Sequence, residues 1–457
     1  MSVSVPSGAK GADNDVGYLN ILNVVKLGAG FWFVFVAWTS LQNLMPQVLK
    51  DLGFEGLGFV LVSVVYAAFF VALFVAPVVL QNCSERRALP LASLGYALFA
   101  VSGLLPVECP DCEPALLTGA LVVAAAVVGF TAAFFWVAQG ATMTYNSPQR
   151  LTNTYQAIFQ VCFQAAQPAG SALSYVLVDN PRLFFLAFTG LNLVGTVLLC
   201  TIRQPVAHPS IPARKADSVS VRQTVLPMLR FLRHDVRARS IFAAGISLGV
   251  WFNGFPGCVL ALFTTTTQEL AKLQIVHGIG TFAAGLLFGH LANTIGRLAC
   301  FASATCLQVV SLLCMVLSQC EGGASGCRSE LAFVASLLAG MGSGTLLANL
   351  MACIVSAVHD NLHAAAATQQ VGVAISTVVT FMILPQLSGP RALLTLGIIL
   401  MLSTGYLALH RSFFRTLSLD ALVEAADGHA ECEAGVQGTA ESGCKVDGGL
   451  ADEDIQI

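Results

Sequence analysis

Stretches of about twenty apolar residues, almost free of charge and separated by short polar turns, recur twelve times between residues 21 and 410. Wound as a helix, a run of that length spans the hydrocarbon of a bilayer, and within lipid only helices or closed barrels satisfy their own backbone. The chain is therefore expected to be an all-α polytopic membrane protein with twelve transmembrane helices in two pseudo-symmetric six-helix bundles. Composition agrees, because 56% hydrophobic against 10% charged residues leaves too little polar surface for a soluble globule. Residues 1–17 read as a disordered N-terminus and 18–202 as the first bundle. The segment 203–238 reads as a basic linker, 239–411 as the second bundle and 412–457 as an acidic disordered tail. The first apolar run is too long for a signal h-region, so it is expected to be retained as a span.

Lysine and arginine collect in cytoplasmic loops. Arg203, Arg214, Lys215, Arg222, Arg230, Arg233, Arg237 and Arg239 crowd the central linker, whereas the opposite loops hold only Lys50, Arg182, Lys272, Arg328 and Arg391. Both termini are thus expected in the cytosol, and the membrane is either the plasma membrane or an endomembrane. A net charge of −3 with the basic residues gathered in this way offers no nucleic-acid surface. The partly apolar, partly basic run from Val221 to Arg239 is either a segment lying on the inner leaflet or a solvated connection.

Polar chemistry concentrates in the fourth and fifth spans. Trp136 and Gln139 close one, and Asn153, Gln156, Gln160, Gln164 and Gln167 follow at spacings of three and four. At about 100° per residue these five amides share an arc of roughly 80°, one face of a helix. The other face carries Ile158, Cys162, Ala165 and Ala169, suited to close contact with a neighbouring helix. A single glutamine in a span serves as interhelical glue, but a row of five reads as the wall of a wet cavity. Trp251, Asn253, Asn349, Gln369 and Gln370 extend that cavity to other spans, while Trp38, Gln42 and Asn43 approach the outer end of the first helix, where they either cap the cavity or meet the headgroups. His277 is the one interior side chain that titrates near neutral pH, and it is either a packed neutral ring or a member of the cavity.

Two loops repeat one another. Leu80, Asn82 and Arg86 follow the second span, and Leu291, Asn293 and Arg297 follow the eighth at the same spacing, the latter within Gly289-His-Leu291-Ala-Asn293-Thr-Ile-Gly296-Arg297. Duplicated halves leave such a signature. Of the fourteen cysteines, Cys109 with Cys112 and Cys320 with Cys327 fall in loops expected outside, where disulfides form; three pairings are open.

The runs Trp136-Val-Ala-Gln139-Gly140, Asn153-x-Tyr155-x-x-Ile158-Phe159-Gln160 and Gln167-x-x-Gly170 resemble the Unc-ninety-three-like branch of the major facilitator superfamily, over residues 18 to 411. The second loop copy is similar to the superfamily motif Gly-x-Leu-x-Asp-x-x-Gly-Arg, with Asn293 in place of the acid. The resemblance implies that spans one, four, seven and ten, with two, five, eight and eleven, line a central cavity. It also implies a gating-loop bridge between acid and arginine, which an amide at Asn293 deprives of its charge-assisted part. Characterised relatives regulate potassium channels or escort receptors. The expected function is therefore facilitator-type movement of a small neutral or weakly polar solute by alternating access, with a non-transporting subunit of a channel or receptor as the alternative. No phosphate-cradling loop, nucleophile with a placed base, metal-ligand cluster or cofactor motif is visible, so the chain does not read as an enzyme. His359 and His363 with Asp360 are a solvated loop rather than a metal site.

Overall fold

Apolar runs of this length must satisfy their backbone internally, and every regular element among the described residues is helical. The computed structural model describes residues 9–147, 152–203, 230, 232–320, 329–357, 362–387 and 389–409. In chain order the spanning elements are α1 (Ala9–Asp51), α2 (Leu57–Ala72, resuming as Ala76–Asn82), α3 (Glu85–Ser102, prolonged by Leu105–Glu108), α4 (Pro114–Asn146), α5 (Thr152–Leu177) and α6 (Pro181–Cys200). The second set is α7 (Val236–Leu248, then a π-helical Gly249–Val259 and Leu260–Phe263), α8 (Thr267–Ile295), α9 (Arg297–Cys320), α10 (Ser329–Ala357), α11 (Leu362–Ile383) and α12 (Gly389–Leu409).

The twelve expected spans correspond to twelve helical elements of unequal length and hydropathy. Nine helices among the described residues are long and apolar enough to cross a bilayer. Leu57–Ala72 and Gly389–Gly405 are shorter apolar helices, and in α5 the amide row lowers the hydropathy. The break in α2 after Ala72 lies just before Pro77, whose ring and missing N–H prevent an unbroken helix. The first helix also starts at Ala9, within the segment expected to be unstructured. Most of the linker and the whole acidic tail lie outside the described residues.

The internal repeat appears in which helices touch. In the first half α1 packs on α5 and α6, α4 on α2 and α3, and α3 on α6; in the second, α7 packs on α11 and α12, α10 on α8 and α9, and α9 on α12. Adding six to each helix number converts one set into the other. The two halves meet through α5 against α8 and α2 against α11, a pair that the same operation exchanges. Glycines set the closest approaches: a Cβ at Gly129 would strike the carbonyl of Val65 between α4 and α2, and one at Gly340 or Gly344 the carbonyls of His277 and Thr281 between α10 and α8.

Toward the side opposite the termini, polar contacts stitch the halves together. Thr267 donates to Asp51 (2.6 Å), Gln268 to both oxygens of Asp179 (2.9 and 2.7 Å), and the Lys272 ammonium lies 5.4 Å from the centre of the Tyr175 ring. Near the terminal side a buried amide holds the first half. The Asn23 amide donates to Asn146 Oδ1 (2.9 Å) and to the carbonyl of Arg203 (3.2 Å), and its oxygen accepts from the Arg203 N–H (3.1 Å). Asn23→Ala strands a buried Asn146 oxygen and two backbone groups, and is expected to destabilise the protein by about 1–3 kcal/mol. The measurement is the midpoint of thermal unfolding in detergent; an unchanged midpoint would refute it.

Candidate functional site

Between the halves lies a cavity of about 80 Å³, room for roughly three waters at about 30 Å³ each. Helices α1, α2, α3, α4, α5, α7, α10 and α11 contribute to its wall, and no Asp, Glu, Lys, Arg or His lines it among the described residues.

A polar string crosses it. Tyr66 on α2 donates to Gln42 Oε1 (2.7 Å); Gln42 Nε2 on α1 reaches Asn253 Oδ1 on α7 (3.5 Å); Asn253 Nδ2 donates to Thr377 Oγ1 on α11 (3.2 Å). Asn253 sits in the π-helical segment, which also contains Pro256. Proline supplies no backbone N–H, and wider i→i+5 winding is one way a helix accommodates such a gap. The carbonyl of Pro256 accepts from Gln274 Nε2 (3.1 Å), as does the carbonyl of Asn43 (3.1 Å), so one amide of α8 ties α7 to α1.

Aromatic rings form the rest of the wall. Trp38 meets Tyr96 edge-on (centroids 5.3 Å apart, 84°), Trp136 meets Phe163 (5.4 Å, 81°), and Phe163 stacks on Phe252 of the opposite half (6.1 Å, 25°). Edge-on pairs of this kind hold their partners in register, which keeps the wall fixed. The chemistry is uncharged recognition: apolar ring surfaces with amide and hydroxyl groups at selected points.

The amide row on α5 turns inward but does not act as one surface. Gln160 and Gln167 line the cavity, and the Oε1 atoms of both are buried without a hydrogen-bond partner. Gln164 is directed instead at α8, where a Cβ on Gly285 would overlap its amide. Gln156 is half-buried, and the side chain of Asn153 lies outside the described residues. On the other face, Cys162 rests against Gly28 of α1.

Of the remaining expected residues, Trp38, Trp136, Asn253, Gln369 and Gln370 line the cavity. Gln139, Trp251, His277 and Asn349 do not, although all are buried. Trp251 stacks on Phe255 (5.4 Å, 21°), and His277 stacks on that same ring (6.0 Å, 20°) while its Nδ1 meets Gln167 Nε2 at 3.0 Å. Sequence reasoning placed Gln42 and Asn43 at the outer end and passed over Tyr66, Tyr96, Phe163 and Phe252. The signal was present for α1, where Phe35, Trp38, Thr39 and Gln42 fall at i, i+3, i+4 and i+7.

In the loop between α8 and α9, Gly296 has φ +83°, a backbone region that side chains rarely adopt, so glycine permits the one-residue turn between the two helices. Arg297 lies beside Cys353 on α10, Leu291 is half-buried, and Arg86 of the first copy is exposed. The side chains of Asn82 and Asn293 lie outside the described residues, and Gly289 has none. Cys109 and Cys112 are bonded to one another; Cys327 and the side chain of Cys320 lie outside the described residues, as do His359 and Asp360. No group of three or more metal-ligating side chains occurs among the described residues.

A family model described as "Ion channel regulatory protein UNC-93" matches residues 55–407. The UNC93-like protein MFSD11 of Xenopus laevis is 26% identical over 310 residues, covering 61% of this chain and 67% of that protein. Protein unc-93 homolog A of Bos taurus is 22% identical over 356 residues, covering 65% of this chain and 74% of the relative. Among solved structures, a D-xylose-proton symporter superposes with a TM-score of 0.58 at 12% identity, covering 89% of this chain and 96% of the symporter, a likeness of fold.

Proposed function

The chain belongs to the UNC-93 family, and from that premise we propose that it is a facilitator-type transporter that moves a small, uncharged, hydrogen-bonding solute through the cavity between its two halves. The observation that carries this reading is the uncharged polar string Tyr66–Gln42–Asn253–Thr377 crossing a cavity whose wall holds no charged side chain among the described residues. Amide and hydroxyl groups set at selected points of an apolar, aromatic wall orient a solute that can hydrogen-bond to them. That no carboxylate lines the wall among the described residues argues against strong proton coupling through the cavity itself. Alternating access fits the arrangement: two matched halves meet around the cavity and are stitched at one side by contacts that must part when that side opens. In this reading the termini lie in the cytosol and the stitched side outside, which the lysine and arginine distribution supports.

The description of the family favours a second reading, a regulatory partner of an ion channel. One experiment separates the two. The full-length protein in lipid nanodiscs is heated with each of a panel of small neutral solutes, and in parallel is crosslinked in native membranes. Saturable stabilisation by one solute class supports transport. No response to any solute, together with a single abundant crosslinked channel, overturns transport in favour of regulation.

A further inference from the structure

Across the cavity, one residue of the first half meets its own counterpart in the second. Gln42 on α1 and Asn253 on α7 lie 211 residues apart, the offset that also separates Leu80, Asn82 and Arg86 from Leu291, Asn293 and Arg297. A contact between equivalent residues falls on the axis that exchanges the halves, at the centre of the molecule. Both residues line the cavity, and at 3.5 Å theirs is the longest hydrogen bond in the string, against about 2.9–3.0 Å for a good N–H···O contact.

The direction of the string is fixed from its far end. Thr377 Oγ1 donates to the carbonyl of Val373 (2.8 Å), and the next carbonyl in reach, that of Gly249 (3.4 Å), also takes only a proton donor. With its single proton spent there, the hydroxyl can only accept from Asn253, which must turn Nδ2 to it and Oδ1 across to the other half. Gln42 must answer with Nε2, whose second N–H faces Asn43 Oδ1 (3.4 Å), and its Oε1 is left to accept from the Tyr66 phenol. The axis therefore carries a donor from the first half and an acceptor from the second.

We propose that the solute binds at this junction and replaces the Gln42–Asn253 hydrogen bond with a bridge that accepts from Gln42 Nε2 and donates to Asn253 Oδ1. The inference rests on the cavity being the solute site, and deepens it by naming the solute class: alcohols, polyols and N–H-bearing amides, which do both, over ketones, esters and ethers, which only accept. This bond joins the two halves, so it is one that their parting breaks, and the donor and acceptor then become free together. A hydroxyl that reaches both partners at about 2.8 Å each needs them to separate by roughly 1 Å, a small step for halves that rock against one another. An acceptor-only solute leaves the Asn253 oxygen without a donor in a largely apolar space, and that cost selects against it. Thr377 does not line the cavity and is a positioning residue, acting through Asn253.

The test uses the full-length protein in nanodiscs and three solutes of one branched skeleton: acetamide and propan-2-ol, which accept and donate, and acetone, which only accepts. Melting is followed against concentration, with Gln42→Leu as the reference that removes each solute's general effect on protein and bilayer. Acetamide and propan-2-ol should act at roughly tenfold lower concentration than acetone. Thr377→Val frees the Asn253 amide to turn and should bring the three together; Thr377→Ser, which returns the accepting hydroxyl, should restore the difference. A merely structural role for Thr377 would shift all three solutes alike. Where Gln42→Leu does not fold, ¹⁵N NMR of the wild type serves: acetamide should move the side-chain amide signals of Gln42 and Asn253 along one saturation curve, and acetone should not. Equal potency of acetone and acetamide, or a ratio that Thr377→Val leaves unchanged, overturns the inference. So does saturable stabilisation by a solute lacking either the donor or the acceptor, and each of these results leaves the transport reading intact. No response to these three or to any solute of the wider panel overturns both.

Discussion

Gly344→Leu is expected to leave little correctly folded protein. The Cα of Gly344 lies against the carbonyl of Thr281, and one turn away Gly340 makes the same contact with the carbonyl of His277, so α10 and α8 meet backbone to backbone. Overpacking a well-packed contact costs about 1–3 kcal/mol and sometimes more. The upper end applies here, because a flexible side chain can give way and a helical carbonyl cannot. Separating these helices also displaces His277 and the α5–α8 contact through which the two halves join. The measurement is size-exclusion profile and melting temperature in detergent. Gly405→Leu is the control, since no described atom lies within 4 Å of a Cβ added there. A Gly344→Leu protein that melts with the wild type would show that the α8–α10 contact is looser than described.

The second large effect is a contrast between two glutamines one turn apart. Gln160→Leu removes a buried oxygen that has no partner, so folding should lose nothing and can gain, while solute-dependent stabilisation weakens by roughly tenfold to a hundredfold. Gln164→Ala should do the reverse. Its amide fills the notch at Gly285, and truncation opens a gap between α5 and α8 that lowers stability, yet the response to solute stays near that of the wild type. Melting temperature with and without solute reads both quantities in one assay. If both substitutions weaken the solute response equally, the amide row acts as a single polar surface and the division between cavity and interface is wrong.

Much of the architecture was legible beforehand because bilayer physics writes it into composition. Apolar length specified helices, and the repeated Leu, Asn and Arg spacing after α2 and α8 announced two related halves. Periodicity located the inward face of α5. It could not say what that face would meet, because side chains that share an arc of one helix are divided by whichever neighbour lies above each of them. Gly285 of α8 takes up Gln164, whereas the space opposite Gln160 is left open. Tyr66 and Tyr96 were invisible for a related reason: a lone tyrosine in an apolar run carries no period, and only the crossing of α2 and α3 over α1 brings those rings to the cavity.

What the chain determined alone was its solvent and its elements: a lipid-embedded helical protein in two matched sets, with uncharged polar groups held to inward faces. Hydrophobicity and helical period are properties of a segment, so a segment suffices to read them. Tertiary structure decided which of those groups became wall and which, like Gln164 and His277, became helix contact. Those outcomes depend on distances between atoms from different helices, down to which way a single amide is turned, and no spacing along one helix encodes them.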